Sequence, residues 1–575
     1  MINITKKIKE INNIYNDNLN KARILSLLRF INFILVIALL CFKGKIFISL
    51  TLIFIILFVV LVFISNKYTK KVDYYERYLK VLDTYDKRIK NKWDTFKDNG
   101  SNFINDKNLY LQDLDIIGNH SLYQYLNSAV TIEGKNNLYN ALNNQKLDNE
   151  ELLQRQNLIK KLKDNPDFIF NFLTLLSYLD EDVSLNNNIK CLKEKIRNDF
   201  FKSITILGNI ISLFTLLLSL LNNKWLTIFI SIVIIKYCFS YIYGLYYKNE
   251  LKNISIISDS AIKLTNILEY LSSNKIDNPV LNKIKNNSSD SLKIIKSLDS
   301  MAGFARLKEN FIANFIFNGI FTIDPYILYK YYQILEKDKT SLYKSIKDLS
   351  YLEMIISLSN IAILKNNVCI PNRCDNISLE FENIKHPLLE EDKCIANDFK
   401  NNSGVLIITG SNMSGKTSFL RTIGINLILA NAGTYTCATK FSSSYLKIFT
   451  SMRVQDNIEL GISTFYGELL RIKDAIEYQK TNNNMIVLVD EIFKGTNYND
   501  RILGATKVIE KLNKDNVILF ITTHDFELCD EKNVLNYYFT EEYDKDNIKF
   551  DYKIRIGKCK TTNAKYLMKR LHITT

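Results

Sequence analysis

The chain has 575 residues, 47% of them hydrophobic and 23% charged, too many for one ordinary domain and ample for packed cores. Its formal net charge of +15 invites a nucleic-acid or anionic-membrane partner, but Lys, Asn, Ile, Tyr and Phe are over-used together, and that chain-wide bias accounts for the charge at least as well. Nine cysteines without a CxxC pair and four histidines argue against a disulfide framework, a zinc ribbon or another metal cluster, and suit reduced thiols in a cytosolic setting.

In chain order, residues 24–42 and 46–65 are apolar runs separated by Lys43, Gly44 and Lys45. The second carries no charge and is long enough for a hydrocarbon core of about 30 Å at about 1.5 Å per residue. Arg29 lies near the start of the first, where a long side chain reaches the interface. No small-residue cleavage site parts the two runs, so a retained transmembrane hairpin is expected rather than a signal peptide. A second pair, 204–221 and 225–247, is joined by Asn222, Asn223 and Lys224. Lys236 interrupts its last run, at a cost of about 2.5–3.5 kcal/mol in mid-span. A buried soluble hairpin is the competing reading of this pair. Basic flanks such as Lys21, Arg23, Lys67, Lys70, Arg197, Lys202 and Lys248 place both termini in the cytoplasm, giving a multi-pass cell-membrane protein with four spans.

Residues 66–110 and 109–180 have helical periodicity, and 250–365 read as long helices broken near Asn278–Pro279 and Asp324–Pro325. From 377 short apolar strands alternate with helices, as in an α/β sheet. The strand-like run Val405–Thr409 leads into Gly410-Ser411-Asn412-Met413-Ser414-Gly415-Lys416-Thr417, followed by Ser418. This is G-x-x-x-x-G-K-T between a strand and a helix, the pattern that cradles phosphates. Its backbone N–H groups would curl around ATP phosphates, Lys416 would reach the β- and γ-phosphates, and Thr417 would ligate Mg2+ at the positive end of the helix. A second buried strand, Met485–Val489, ends in Asp490-Glu491. An acidic pair there suits a Mg2+-holding Asp490 and a water-activating Glu491. A third, Val517–Thr522, ends at Thr523-His524, where His524 could bond the γ-phosphate.

These residues resemble the MutS mismatch-repair ATPases, members of the ABC-type class. Thr409–Arg421 is similar to the family's TGPNMGGKST loop, Leu446–Glu468 to the segment ending S-T-F-x-x-E, Asp490–Arg501 to DEIGRGTSTYDG, and Thr522–Leu528 to ATHYFEL. Lys385–Leu388 and Ile395–Asn397 look like its RHP and IAN elements. The resemblance implies that Asn412 touches the γ-phosphate and Ile395 borders the adenine. It also implies that Ser463 and Thr464 complete a partner subunit's site in a homodimer, and that Asn497 and Asp500 lie in a loop communicating between the two sites. The chain departs from the pattern at Ile462, where Arg is common, and at Ser411, where Pro is usual.

Upstream, Leu114–Arg155 and Leu349–Ala362 are similar to the family's helical core and lever ends, while nothing before residue 109 resembles its mismatch-reading domain. The expected class is α plus α/β. The expected divisions are a cytosolic start at 1–23, hairpins at 24–65 and 204–247, helical core-like and lever regions at 66–203 and 248–370, and a mixed or parallel-sheet ATPase domain at 371–575. The leading reading is a membrane-tethered, MutS-type ATPase dimer that moves helical arms on a partner, with lipid around its spans. Scattered lysines over 250–350 suit double-stranded DNA and equally suit a solvated helix face. The competing readings are a membrane mechanoenzyme that does not bind DNA and a non-hydrolysing scaffold. The intact Lys416, Thr417, Asp490, Glu491 and His524 argue against the scaffold.

Overall fold

A computed structural model describes residues 3–42, 44–105, 108–179, 199–247, 263–307, 311–453, 464–544 and 547–559. Ile462 and Ser463 lie outside the described residues. The described residues fall into two compact units, one from Met1–Ser128, Asn136–Asp167 and Met354–Thr575, the other from Ala129–Lys135 and Phe168–Glu353.

The first unit begins with α1 (Ile4–Leu40) and α2 (Lys45–Ile89), paired through contacts such as Phe33 with Phe58, ring centroids 6.1 Å apart. No glycine or proline follows the apolar stretch of α2, so the helix runs on unbroken into its charged half. The apolar residues of this pair are mostly exposed, Phe30 at 62% and Phe63 at 71%. The charged end of α2 is fixed by Arg88, which is buried and donates to the carbonyls of Tyr125 at 2.7 Å and Asn127 at 2.6 Å. Short helices α3 (Tyr110–Asp113) and α4 (Leu122–Leu126) follow, then α5 (Ile132–Leu142), whose first turn belongs to the second unit, and α6 (Asn149–Asp164); α7 (Pro166–Leu176) belongs to the second unit from Phe168 onward.

The second unit contains α8 (Asp199–Ser219), α9 (Lys224–Tyr246), α10 (Pro279–Leu307), α11 (Phe311–Phe321) and most of α12 (Ile323–Leu364). Three described helices, α1, α2 and α9, are long and apolar enough to cross a membrane, and the apolar stretch of α8, Thr205–Ser219, is shorter. The expected break at Pro279 marks the start of α10. A break near the expected Asp324–Pro325 falls at Thr322, whose φ is +51°. Pro325 instead occupies the first turn of α12, where its missing N–H costs nothing. The buried Glu353 carboxylate accepts from the N–H groups of Val130 at 2.8 Å and Thr131 at 3.1 Å, and from the Thr131 hydroxyl. Gly134 leaves no room there for a Cβ.

The C-terminal part of the first unit is the expected α/β layer. A four-stranded sheet runs β1-β5-β2-β3, from β1 (Asn372–Arg373), β2 (Leu379–Ile384), β3 (Asn397–Asn401) and β5 (Lys440–Ser443). A six-stranded sheet runs β12-β9-β4-β8-β7-β6, from β4 (Gly404–Thr409), β6 (Lys447–Ser451), β7 (Met485–Val489), β8 (Val517–Thr522), β9 (Val534–Tyr538) and β12 (Arg555–Ile556). All its pairings are parallel except that of β12 with β9. Strands β4, β7 and β8 are almost wholly buried, so they read as continuous apolar runs rather than alternating ones. Helices α13 (Lys416–Asn431), α14 (Thr464–Gln479) and α15 (Tyr498–Leu512) accompany this sheet, and β10 (Glu541–Asp544) pairs with β11 (Asn547–Phe550). Asp113 ties α3 to the layer: its carboxylate accepts from Thr450 Oγ1 at 2.7 Å and Arg471 Nη1 at 2.6 Å.

Candidate nucleotide-binding site

Strands β4 and β7 flank β8, so the loops leaving their carboxyl ends meet at one edge of the sheet. Between β4 and α13 the chain turns through Gly410, with φ +149°, and Gly415, with φ +106°. A Cβ on Gly410 would lie 2.8 Å from the Phe539 carbonyl oxygen and 2.9 Å from Ser414 Oγ, so only glycine fits that turn. Met413 takes φ +68° and points outward, 82% exposed. Ser414 Oγ is buried without a hydrogen-bond partner. Ser411 Oγ donates to Glu541 Oε2 at 2.7 Å, which gives the hydroxyl at this departure from the family pattern a partner in β10.

Lys416 folds back over the loop and donates to the carbonyls of Gly410 at 2.8 Å and Ser411 at 2.9 Å. Burial lowers its pKa, while the Glu491 and Asp490 carboxylates oppose that shift. Next along the helix, Thr417 Oγ1 donates to Asp490 Oδ2 at 2.7 Å. Thr522 donates to the other carboxylate oxygen of Asp490 at 2.6 Å and accepts the Glu491 N–H at 2.9 Å. This threonine, the last residue of β8 and the first of the Thr522–Leu528 segment, fixes both acidic residues, a role that no motif letter announces.

Glu491 and Phe493 both adopt left-handed backbone, φ +53° and +55°, a local strain of the kind found at functional sites. The Glu491 carboxylate faces His524 Nε2 at 3.6 Å and Lys494 Nζ at 2.7 Å. The His524 ring and the Lys494 ammonium hold its pKa well below the ordinary carboxylate range, at about 2. His524 Nε2 also bonds Asn412 Oδ1 at 2.8 Å, with the proton on Nε2 because the amide oxygen can only accept. Expected groups from three loops therefore converge: Lys416 and Thr417, Asp490 and Glu491, Asn412 and His524.

Beside the loop lies a cavity of about 400 Å³ lined by residues including His386, Ile395, Gly415, Ser418 and Tyr552. His386 is kept neutral, its pKa lowered to about 4 by burial and by the nearby Arg421 and Lys365 cations. Its Nδ1 accepts the Leu388 N–H at 3.3 Å.

Asn497 and Asp500 bond each other at the start of α15. Asn497 caps α15 by accepting the Asp500 N–H at 2.9 Å, and its amide bonds the Asp500 carboxylate at 2.6 Å. Thr464 opens α14 beside Gly495, where an added Cβ would meet it at 3.4 Å. Arg501 binds Asp525 through two nitrogens, at 2.6 and 2.9 Å, and so braces the loop carrying His524. In the sequence the two residues stand only within the segments Asp490–Arg501 and Thr522–Leu528, with nothing to pair them.

This donor set fits a nucleoside triphosphate with Mg2+. The glycine turn leaves a cradle without side chains, the orphan Ser414 hydroxyl sits in that loop, Thr417 and Asp490 offer hard oxygen ligands, and the adjoining cavity has room for a base and sugar.

Comparison with known proteins agrees with this geometry. Residues 406–568 match the family model for MutS domain V. The chain is similar to the DNA mismatch repair protein MutS of Finegoldia magna, 27% identical over 78% of this chain and 57% of that protein. It is also similar to endonuclease MutS2 of Carboxydothermus hydrogenoformans (29%, over 43% of this chain and 32% of the relative). MutS protein homolog 4 of Mus musculus is 33% identical over 38% of this chain and 24% of the relative. The chain thus spans less than two thirds of the length of each of these curated relatives.

Proposed function

Because this chain belongs to the MutS family, we propose that it is a membrane-anchored ATPase that hydrolyses ATP between two copies of itself and thereby moves its helical arms on double-stranded DNA. The observation that carries the reading is the junction of Thr417, Asp490 and Thr522, which brings the glycine loop, the acidic strand end and the His524 strand end into one set of hydrogen bonds.

In this reading Lys416 leaves the loop carbonyls to bind the β- and γ-phosphates, and the loop N–H groups bind the rest of the polyphosphate. Thr417 and Asp490 would hold Mg2+, which when bound neutralises charge on the phosphate oxygens. Glu491, kept ionised by His524 and Lys494, orients the attacking water and takes its proton as the bond to the leaving diphosphate breaks. Asn412 and His524, already bonded to each other, turn to the γ-phosphate oxygens. Ile395 borders the base, and Ser463 and Thr464 act on the partner subunit's nucleotide.

The membrane part of the proposal rests on α1, α2 and α9, whose length and apolar composition suit spans, and on the basic flanks that put the ATPase in the cytoplasm. The DNA part rests on the family and on the basic balance of the chain.

The test is Mg2+-dependent ATP hydrolysis by the full chain in detergent, with and without duplex DNA, over a salt series. Stimulation that fades steeply with salt supports the DNA partner. Hydrolysis indifferent to DNA removes that part, and absence of hydrolysis in the native chain removes the enzyme reading.

A further inference from the structure

Residues 311–321, FIANFIFNGIF, fall within the expected helical lever region 248–370, yet α11 is strongly apolar and packs on α8 and α9. Gly319 permits the close approach: a Cβ there would lie 2.9 Å from Val233 Cγ1. The Phe315 ring meets the Tyr237 ring at 5.0 Å, and Ser240 Oγ donates to Asn318 Oδ1 at 2.8 Å. α11 is only 11 residues long, about 16 Å, near half of a hydrocarbon core of about 30 Å. It ends beside Lys236, near the middle of α9.

A helix ending at that depth exposes carbonyls that hydrocarbon cannot solvate. Here they are met by side chains. Lys236 Nζ donates to the Ile320 carbonyl, and also to Asn209 Oδ1 at 2.7 Å and Ser212 Oγ at 3.1 Å. Asn209 Nδ2 donates to the Phe321 carbonyl at 3.0 Å. Past the left-handed Thr322, the Asp324 N–H that opens α12 donates to Asn318 Oδ1 at 3.1 Å. Away from α9, α11 is apolar and open, with Ile316 and Phe321 exposed like the outer face of α8, and Phe315 keeps an exposed edge beside Tyr237.

We infer that α11 is a re-entrant half-helix, which enters the bilayer beside α9 from the cytosolic side, turns at Thr322 at mid-depth, and presents Phe315, Ile316 and Phe321 to lipid hydrocarbon. Lys236 is then the cap of a broken helix, which gives the mid-span charge a role and repays its insertion cost with hydrogen bonds. This inference rests on the membrane reading above.

The test uses the full chain with Trp225→Phe, in phosphatidylcholine–phosphatidylglycerol vesicles whose acyl chains are brominated at mid-chain or near the headgroup. Buried Trp93 supplies a constant background. Reporters are Phe321→Trp, Phe315→Trp and, on the exposed face of α8 next to Asn209, Ile210→Trp. Mid-chain bromine should remove Phe321→Trp emission as it removes that of Ile210→Trp, and headgroup-proximal bromine should quench Phe315→Trp more strongly. Quenching at Ile210→Trp with none at Phe321→Trp would overturn the half-helix and leave the membrane reading standing. If neither position is quenched, both readings fall.

Discussion

Thr522 Oγ1 lies between Asp490 and Glu491, donating to the carboxylate of the first at 2.6 Å and accepting the N–H of the second at 2.9 Å. One buried hydroxyl on the central strand therefore sets the direction of the acidic pair on its neighbour. Thr522→Val keeps the shape of the side chain and deletes both bonds. It should destabilise the fold by about 1–3 kcal/mol and lower ATP turnover more than ATP affinity. Denaturant unfolding together with kcat and KM checks this; an unchanged kcat would show that the acidic pair needs no such support.

Gly424 on α13 faces Leu114, and a Cβ at that glycine would lie 2.5 Å from Leu114 Cδ2. Gly424→Ala should cost about 1–3 kcal/mol through overpacking. The double variant with Leu114→Ala should recover part of that loss, because the removed isopropyl group makes room. Additive effects in the double-mutant cycle would mean that the two side chains do not share this space.

Glu353 gives the second unit a pH dependence. Burial raises its pKa from 4.5 to about 7, against the opposing hydrogen bonds from Thr131 and Val130. A carboxyl with a raised folded-state pKa binds more protons folded than unfolded, so its contribution is full below about pH 4.5 and is lost as pH rises through about 7. Glu353→Gln should flatten the fall in melting temperature over that window, which corresponds to something on the order of 3 kcal/mol in the native chain. An identical pH profile in both proteins would refute the assignment.

How much of this was legible in the sequence follows from what each residue does. Strands β4, β7 and β8 could be read because burial on both faces leaves uninterrupted aliphatic runs, and the loop because its glycines and Lys416 have no common alternative use. Thr522, Arg501 and Asp525 were less legible, since a threonine ending a strand or an ordinary ion pair carries no pattern of its own until the strand order is known. The order β4-β8-β7 puts Thr522 between the two loops that the motifs name. The break near Pro325 was legible, but its exact place at Thr322 was not, because a first-turn proline opens a helix as readily as it ends one. α11 escaped because its 11 residues are too few for the length criterion of a span.

The Arg501–Asp525 pair predicts a positioning effect. Arg501→Lys keeps a charge but loses the two-nitrogen grip, so the His524 loop should loosen. ATP turnover should fall several-fold while the melting temperature moves little, and Arg501→Ala should behave more severely. Native turnover in both variants would show that the brace is incidental.

The central claim is that Glu491, held ionised between His524 and Lys494, activates the water that attacks ATP. Single-turnover hydrolysis by Glu491→Gln, measured beside equilibrium ATP binding, tests it most directly. The account predicts ATP affinity close to native with the chemical step slowed by about 10²–10⁴-fold. Hydrolysis at the native rate by the Glu491→Gln variant would contradict it.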